Sequence, residues 1–269
     1  MSVERDVVYA QVGDRALALD LHRAPAPDAP LVVYVHGGGW RSGSKDEDAA
    51  RIEGLAARGV TVAAVDYRLV PDAVFPAPLH DVKGAVRWLR ASGPSLGVRT
   101  ERIGIWGASA GAYLASLLAL TAGDGEFEGD VGGNLDRSSA VQAVVHWFGQ
   151  SDLVAAGSRT AVEARLLPFR FEAGLLGVAS LSEDEPRARR LSLLHRVTPA
   201  APPFLIAHGD RDHVVAPAET VALHDALARA GADVRLLLLG GAGHEDPEFD
   251  SPATLAMTAA WLLETLSPD

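Results

Sequence analysis

The feature that most constrains this chain is the five-residue segment GASAG at 107–111, which lies between apolar runs that end at Trp106 and begin at Tyr113. The first run has a strand pattern and the second a helical pattern, so the segment predicts a strand, a tight turn and a helix with Ser109 at the tip. Small residues on both sides of Ser109 permit a strained turn that lifts the hydroxyl above a sheet. The helix N-terminus also favours negative charge beside it. The segment therefore predicts a nucleophilic serine.

Strand-like and helix-like segments alternate after residue 30, which predicts a mostly parallel sheet with helices on both faces, in the α/β class. The expected strands cover 31–35, 60–65, 102–106, 141–147, 203–207 and 234–239, and the expected helices cover 47–58, 79–91, 110–120, 218–230 and 252–266. Two earlier alternating segments, 6–11 and 15–22, predict an antiparallel hairpin at the sheet edge. The sheet is thus expected to have eight strands.

The domain organisation follows from the chain length and from the order of predicted strands and helices. A chain of 269 residues that is 48% hydrophobic can bury one large core, so we expect a single domain over 1–269. Residues 150–198 contain helix-like pieces and no good strand. We interpret them as a short cap insertion over the carboxyl edge of the sheet, where open α/β sheets bind ligands. Residues 124–139, rich in Gly and Asp, are predicted to form a solvated loop.

Charge and composition exclude several functions. Acidic residues outnumber basic ones by 35 to 24, giving a formal net charge of −11, so we expect no nucleic-acid partner. There is no cysteine, hence no disulfide framework, thiolate nucleophile or cysteine-ligated zinc. Acidic residues stand where a signal peptide would be basic, and no run of about 18 apolar residues occurs. We therefore expect a cytoplasmic protein without a membrane partner.

A serine nucleophile needs donors for the oxyanion that its attack creates. The sequence HGGGW at 36–40 follows the first core strand, and glycines allow backbone N–H groups to point at one small anion. The expected donors are the N–H groups of Gly37, Gly38 and, directly after the serine, Ala110. The alternative is that the glycines only form a turn at the end of the strand.

The histidine base and the carboxylate that orients it are expected late in the chain. His244 follows the last core strand in a glycine-rich loop, which favours it over the other eight histidines. Asp212 is the preferred acid, because it can reach the loop after the following strand. Asp210 is expected to cap its own turn instead. A metal site formed by 208–213 is the alternative, but adjacent turn residues do not easily converge on one ion, so we expect no metal and no cofactor.

Four residues are candidates for lining a substrate pocket: Trp40, His146, Trp147 and Phe169. His146 lies at the end of a core strand, where a hydrogen-bonded structural histidine is the alternative. Phe169 lies in the segment RLLPFRF at 165–171. Its mixture of arginines and aromatic residues is suited to covering a small pocket. Solvated arginines on exposed helix faces are the alternative there.

Four motifs occur in the order HGGGW, GASAG, GDRDHVV and GAGH. With VDYRL at 65–69 and FGQSDL at 148–153, they resemble the α/β-hydrolase family over nearly the whole chain, in particular the carboxylesterase branch similar to hormone-sensitive lipases, feruloyl-esterase-like proteins and arylformamidases. The resemblance implies the α/β-hydrolase fold, a triad and an oxyanion hole, formed by Ser109, Asp212 and His244 and by Gly37, Gly38 and Ala110.

The chain departs from the hormone-sensitive-lipase pattern in two ways. Those relatives carry a helical N-terminal cap, whereas the residues before the first core strand have strand patterns here. Those relatives also tend to have leucine where this chain has Val214. The resemblance therefore favours the feruloyl-esterase-like and arylformamidase side.

These patterns predict a serine esterase acting on short-chain acyl or aromatic esters, as a monomer or homodimer. Two alternatives remain open. One is acyl-transfer, cyclase or dehydratase chemistry in biosynthesis, because fold and motif do not determine the reaction. The other is a non-catalytic protein that binds small molecules.

Overall fold

The structure is a computed structural model that describes residues 2–156, 165 and 169–267. Within these residues the strands are β1 (Val3–Val12), β2 (Arg15–His22), β3 (Leu31–Val35), β4 (Thr61–Val65), β5 (Ile103–Ala108), β6 (Ala143–Trp147), β7 (Phe204–Gly209) and β8 (Val234–Leu239). The α-helices described are α1 (Ala49–Ala56), α2 (Ala77–Ser92), α3 (Ala110–Leu120), α4 (Gly125–Glu128), α5 (Leu153–Ala156), α6 (Phe171–Leu176), α7 (Glu185–Arg190), α8 (Pro217–Arg229) and α9 (Pro252–Leu266). Short 3-10 turns cover Gly93–Leu96, Leu181–Glu183 and Leu193–His195.

The strands form one eight-stranded sheet in the order β1-β2-β4-β3-β5-β6-β7-β8. β1 and β2 form an antiparallel hairpin at one edge, and β2 runs antiparallel to β4. All other neighbours are parallel. This confirms the predicted α/β fold class and the edge hairpin, and every predicted strand lies within a few residues of an observed one.

Two buried clusters, one on each face of the sheet, form the core. Side chains of β3 alternate between them, as the pleat of a strand requires: Leu31, Val33 and Val35 belong to one cluster, and Val32 and Tyr34 to the other. The first cluster includes residues of α2, α3 and α8, and the second includes residues of α1 and α9. Helices on both faces therefore bury β3 to β7 completely, while the edge strands β1 and β8 stay partly exposed.

The strand order positions two loops side by side. β3 lies between β4 and β5, and Val35 at its end pairs in register with Gly107 of β5. Since parallel strands end at the same edge, the loops that follow β3 and β5 leave the sheet together. Such a reversal of strand order is where open α/β sheets form their ligand sites.

The prediction of a solvated loop at 124–139 was wrong for the first part of that segment. It begins with the short helix α4, and Phe127 is buried with 2% of its surface exposed. Glu128 accepts hydrogen bonds from the buried side chains of Lys83 and Arg87 on α2. Pairing of these cations with one carboxylate holds the segment against α2, which its Gly- and Asp-rich composition did not reveal.

Between β6 and β7, the described residues form α5, α6, α7 and two 3-10 turns, with no strand among them. Residues 157–164 and 166–168 of the predicted insertion at 150–198 lie outside the described residues. Across the described parts of the chain, no helix combines the length and apolar character needed to cross a membrane.

Candidate active site

Ser109 occupies the sharp turn between β5 and α3, with φ 51° and ψ −120°. Residues other than glycine rarely adopt this backbone conformation, and residues strained in this way cluster at functional sites. The flanking glycines permit the turn: a Cβ on Gly107 would lie 2.3 Å from the carbonyl oxygen of Gly111, and a Cβ on Gly111 would lie 2.1 Å from that of Val35. Larger residues would push these backbone segments apart. The serine hydroxyl is thereby held at the N-terminus of α3.

The structure brings together three of the predicted side chains from distant parts of the chain. Nε2 of His244 lies 3.0 Å from Oγ of Ser109, and Nδ1 of His244 lies 2.7 Å from Oδ2 of Asp212. A carboxylate can only accept, so Nδ1 carries the proton and donates it to Asp212. Nε2 is then the acceptor that faces the Ser109 hydroxyl. This arrangement can move a proton from the serine to the histidine.

The surroundings of Asp212 keep it ionised. Its side chain has no exposed surface, and its Oδ1 accepts hydrogen bonds from the backbone N–H groups of Val214 and Val215 at 2.7 and 2.9 Å. Burial alone would raise the pKa of Asp212, but hydrogen bonds from His208 and His244 outweigh burial and hold that pKa well below its usual range. A permanent negative charge therefore faces His244.

The prediction for Asp210 was wrong in its detail. We expected Asp210 to cap its own turn, but Asp212 does so through the two N–H groups just described. Asp210 instead accepts a hydrogen bond from the N–H of Gly241, at 2.6 Å, in the loop before His244. Asp210 thus connects the loop that carries Asp212 to the loop that carries His244. Within the described residues it makes no hydrogen bond to the imidazole of His244.

The loop that carries His244 is anchored on both sides. Arg51 of α1, almost fully buried, binds Asp250 at 2.8 Å and Glu245 at 3.3 Å. The buried ring of Phe148 contacts the imidazole of His244 edge-on, with ring centroids 4.9 Å apart. These contacts restrict the imidazole to one position, and neither Arg51 nor Phe148 was identified from the sequence.

The segment 36–40, which we call the oxyanion loop after its predicted role, lies against the turn that carries Ser109. A Cβ on Gly37 would lie 3.4 Å from Cβ of Ser109, while Gly38 and Gly39 have φ of +99° and +60°. Ala110 is the first residue of α3, and N–H groups of the first helical turn have no acceptor within the helix. The N–H groups selected from the sequence are therefore suited to binding an oxyanion next to Ser109.

Aromatic side chains hold this loop in place. The indole nitrogen of Trp40 donates to the carbonyl oxygen of Ala110 at 3.0 Å. Tyr67 stacks on His36, with ring centroids 4.4 Å apart, and its hydroxyl donates to the His36 carbonyl at 3.0 Å. Nδ1 of His36 lies 2.8 Å from the carbonyl oxygen of Gly37, the bond to a loop carbonyl expected of a strand-end histidine.

Three of the four candidate pocket residues are not accessible to a substrate. Trp40, His146 and Trp147 have no exposed surface, which corrects the expectation that they line the pocket. Nδ1 of His146 lies 2.8 Å from Oγ of Ser116, and its Nε2 lies 3.1 Å from the Gly149 carbonyl oxygen, so this is the structural histidine of the alternative. Trp147 packs within the core. Their positions at or after strand ends suggested exposure. Instead, Trp40 packs against Tyr113 of α3, His146 contacts Ser116 of α3, and Trp147 packs against Trp106 and Phe249.

Phe169 is half exposed, at 51%, and its ring lies beneath the guanidinium of Arg41 at 4.8 Å. Its neighbour Phe171 rests on the oxyanion loop, where a Cβ on Gly39 would lie 2.4 Å from the Phe171 ring. The Gln150 amide, in the loop after β6, donates a hydrogen bond to the buried carboxylate of Glu172. The start of α6 is thus attached to two loops around Ser109.

Within the described residues, no group of three or more histidine, aspartate and glutamate side chains could hold a metal ion. His208, which the metal alternative included, lies 3.0 Å from Asp212 instead. Its Nε2 also lies 3.0 Å from the carbonyl oxygen of Val215. The spacing of four residues between His208 and Asp212 across a turn was the available signal for their contact.

Comparisons with known proteins agree with this architecture. The family model described as BD-FAE matches residues 19–227. Esterase LipC of Mycobacterium tuberculosis is 34% identical over 256 residues, which cover 93% of this chain and 61% of LipC. The chain thus spans about six-tenths of the length of that curated relative.

Solved structures of esterases resemble the whole chain. A truncated carbohydrate esterase from gut microbiota superimposes with a TM-score of 0.86 at 26% identity, covering 100% of this chain and 97% of that one. A thermophilic esterase of Thermogutta terrifontis with propionate bound has a TM-score of 0.77 at 27% identity, covering 100% and 96%. By its family match, its fold and its relatives, this chain belongs to the BD-FAE family of α/β-hydrolase carboxylesterases.

Proposed function

We propose that this chain hydrolyses short-chain acyl or aromatic esters through an acyl-enzyme on Ser109. The observation that carries the proposal is the continuous hydrogen-bonded series from Ser109 through His244 to the ionised Asp212. The esterase relatives support the same reaction class. In this proposal Ser109 is the nucleophile, His244 the general base and Asp212 the residue that orients it.

In the first half of the reaction, Oγ of Ser109 attacks the ester carbonyl carbon while Nε2 of His244 takes the hydroxyl proton. Asp212 stabilises the imidazolium that forms. The tetrahedral intermediate then collapses, the bond to the alcohol oxygen breaks, and His244 returns the proton to that oxygen. Water attacks the acyl-enzyme with His244 again as base, and the carboxylic acid leaves as the Ser109 hydroxyl is restored.

The negative charge of each tetrahedral intermediate develops on the former carbonyl oxygen. We assign its stabilisation to the N–H groups of Gly37, Gly38 and Ala110. Loss of one such donor costs about 3 kcal/mol, roughly a hundredfold in rate. The bracing of this loop by Trp40 and Tyr67 keeps the donors in position before the reaction begins.

The preference for short or aromatic acyl groups rests on the residues around the mouth of the site. Phe171 lies on Gly39 and Phe169 lies beneath Arg41, so aromatic rings stand directly over the oxyanion loop. We propose that residues 150–198 act as a short cap on a single catalytic domain, with Phe169 as a substrate contact. The structural relative with bound propionate is consistent with a small acyl group.

Covalent labelling tests the function directly. A fluorophosphonate should label Ser109 and abolish turnover of p-nitrophenyl butyrate, while Ser109→Ala should remain folded, unlabelled and inactive. A labelled protein that hydrolyses none of a panel of esters, amides and formamides, yet transfers an acyl group to an added alcohol, would support the biosynthetic alternative. Absence of both labelling and turnover would support a binding protein.

A cytoplasmic location and a monomeric or homodimeric state are further proposals. Fractionation of cells that express the natural gene tests the first. Light scattering of the purified protein during size-exclusion chromatography tests the second.

A further inference from the structure

A second histidine lies on the side of Asp212 away from Ser109. His208 lies in β7, directly before the last residue of that strand, and has no exposed surface. Its Nε2 lies 3.0 Å from Oδ2 of Asp212. The same Oδ2 lies 2.7 Å from Nδ1 of His244. The imidazoles of His244, next to Ser109, and of His208, on the opposite side of Asp212, therefore contact the same carboxylate oxygen.

The surroundings of His208 determine which of its nitrogens donates. Nε2 also lies 3.0 Å from the carbonyl oxygen of Val215. Both neighbours of Nε2 can only accept, so Nε2 carries a proton, which it donates to the Val215 carbonyl while Oδ2 of Asp212 lies 3.0 Å away as a second, bent contact. On the other side of the ring, Nδ1 contacts the hydroxyl of Thr220 in the first turns of α8, and that hydroxyl can donate to Nδ1. His208 is thus fixed with its Nε2–H between the Val215 carbonyl and Oδ2 of Asp212.

The bonds of Asp212 leave it no freedom to rotate. Its Oδ1 accepts from the N–H groups of Val214 and Val215, and its Oδ2 accepts from His208 and His244. Four donors in fixed positions surround one carboxylate. Of these, the backbone groups hold only Oδ1, so His208 is the partner that holds Oδ2 in line with His244.

We propose that His208 is a positioning residue for the esterase reaction, holding the shared oxygen of Asp212 in the one orientation that aligns His244 with Ser109. This inference rests on the function proposed above. His208 touches neither the serine nor the space beside it, so it acts through Asp212. A role limited to stabilising the fold would predict no effect on the rate of folded enzyme.

Loss of the Nε2–H donor has a specific consequence. Asp212 could then rotate about its side-chain bonds, and the imidazole that it orients would spend less time aligned with Ser109. The carboxyl would also bind a proton more readily, because one donor that favours its charged form is gone. Both changes impair proton transfer and leave substrate binding unaffected, so kcat should fall while KM stays nearly constant.

Two matched variants separate positioning from folding. His208→Leu removes the donor at similar volume, and His208→Gln keeps an amide N–H that can reach Asp212. Turnover of p-nitrophenyl butyrate is measured from about pH 5 to about pH 9, per site titrated with a fluorophosphonate. We expect His208→Leu to lower kcat about tenfold or more across this range, and His208→Gln to recover most of the rate.

Thr220→Val supplies a milder variant in case His208→Leu does not fold. It keeps the imidazole in place but removes the hydroxyl at Nδ1, so we expect a smaller fall in kcat in the same direction. Equal kcat per titrated site in wild type, His208→Leu and Thr220→Val would overturn the proposal. The same kcat loss in His208→Gln and His208→Leu would also overturn it, because rescue by a donor is its central expectation.

A readout without turnover keeps this proposal distinct from the proposed function. The proton between His244 Nδ1 and Asp212 gives a far-downfield signal in the proton NMR spectrum, as expected for a short charge-assisted bond. If the wild-type protein hydrolyses no ester, the proposed function fails. The positioning role then stands if this signal shifts or broadens in His208→Leu and returns in His208→Gln, and it is overturned if the signal is unchanged in both.

Discussion

The indole nitrogen of Trp40 donates a hydrogen bond of 3.0 Å to the carbonyl oxygen of Ala110, so the oxyanion loop and the residue after the serine are joined directly. Both residues are buried. The bond fixes the spacing between the N–H groups of Gly37 and Gly38 on one side and Ala110 on the other. This contact makes the geometry of the proposed oxyanion hole testable.

Trp40→Phe should lower kcat for p-nitrophenyl esters by about tenfold to a hundredfold, because misaligned oxyanion donors lose part of their stabilisation of the transition state. The aromatic packing against Tyr113 is largely kept, so thermal stability should fall only modestly. Rates are measured per site titrated with a fluorophosphonate. An unchanged kcat would contradict a role for this bond in aligning the donors.

Asp212→Asn should lower kcat by about 10⁴-fold, since an amide can stabilise the wrong tautomer of the histidine. Asp210→Asn is the matched control two residues earlier. It weakens only the bond to the N–H of Gly241, so it should reduce stability more than rate. Steady-state kinetics and thermal melting of both variants are compared. If the two phenotypes are exchanged, the acid is Asp210.

Stability should fall as the pH drops from about 6.5 to about 4. Burial lowers the pKa of His146 from 6.5 to about 4 in the folded state. Between these values the unfolded chain binds a proton that the folded chain does not, so acid favours unfolding, by about 1.4 kcal/mol per pH unit for one such group. Buried His22 and His36 and partly buried His80 have pKa values lowered in the same direction by burial.

The contribution of His146 is isolated with His146→Gln, whose amide can still bond the carbonyl of Gly149 and the hydroxyl of Ser116. The free energy of unfolding in urea is measured for both proteins across this pH range. The variant should show a flatter dependence. Parallel curves for the two proteins would mean that His146 does not titrate as stated.

Glu128→Gln should destabilise the protein by about 3 kcal/mol, because it leaves the buried ammonium of Lys83 without its counter-charge. Lys83 has no exposed surface, and burial lowers its pKa. The double variant Lys83→Met with Glu128→Gln should recover part of the loss, since one of the two buried cations that pair with Glu128 is gone. Urea unfolding of the single and double variants tests this, and additive losses would refute the coupling.

Catalytic efficiency should be highest on p-nitrophenyl acetate or butyrate and fall on octanoate and palmitate. The physical reason is the pair of rings, Phe169 and Phe171, that stands over the oxyanion loop and shortens the space for an acyl chain. Phe169→Ala should raise the efficiency on octanoate relative to acetate. A maximum at octanoate or beyond in the wild type would point to a deep apolar pocket instead.

Local sequence was sufficient for the elements of the fold. The alternation of strand and helix patterns predicted the eight strands, and the helices 110–120 and 252–266 match their predicted bounds. The turn at Ser109 was predictable because its requirement, small residues around one strained position, is contained in five adjacent residues. The same local logic selected His244 and Asp212, which the structure brings within hydrogen-bonding distance, although their catalytic roles stay predictions.

Only the tertiary structure decided which polar and aromatic side chains meet. The spacing of His208 and Asp212 permits their contact without showing it, and nothing in the sequence around Glu128 shows that it contacts Lys83, because such contacts depend on how loops and helices pack over the sheet. Burial was misjudged for the same reason: His146 and Trp147 end a strand, but side chains from α3, from β5 and from the segment before α9 cover them. Periodicity and turn chemistry act over a few residues, whereas burial and pairing depend on chain segments that are distant in sequence.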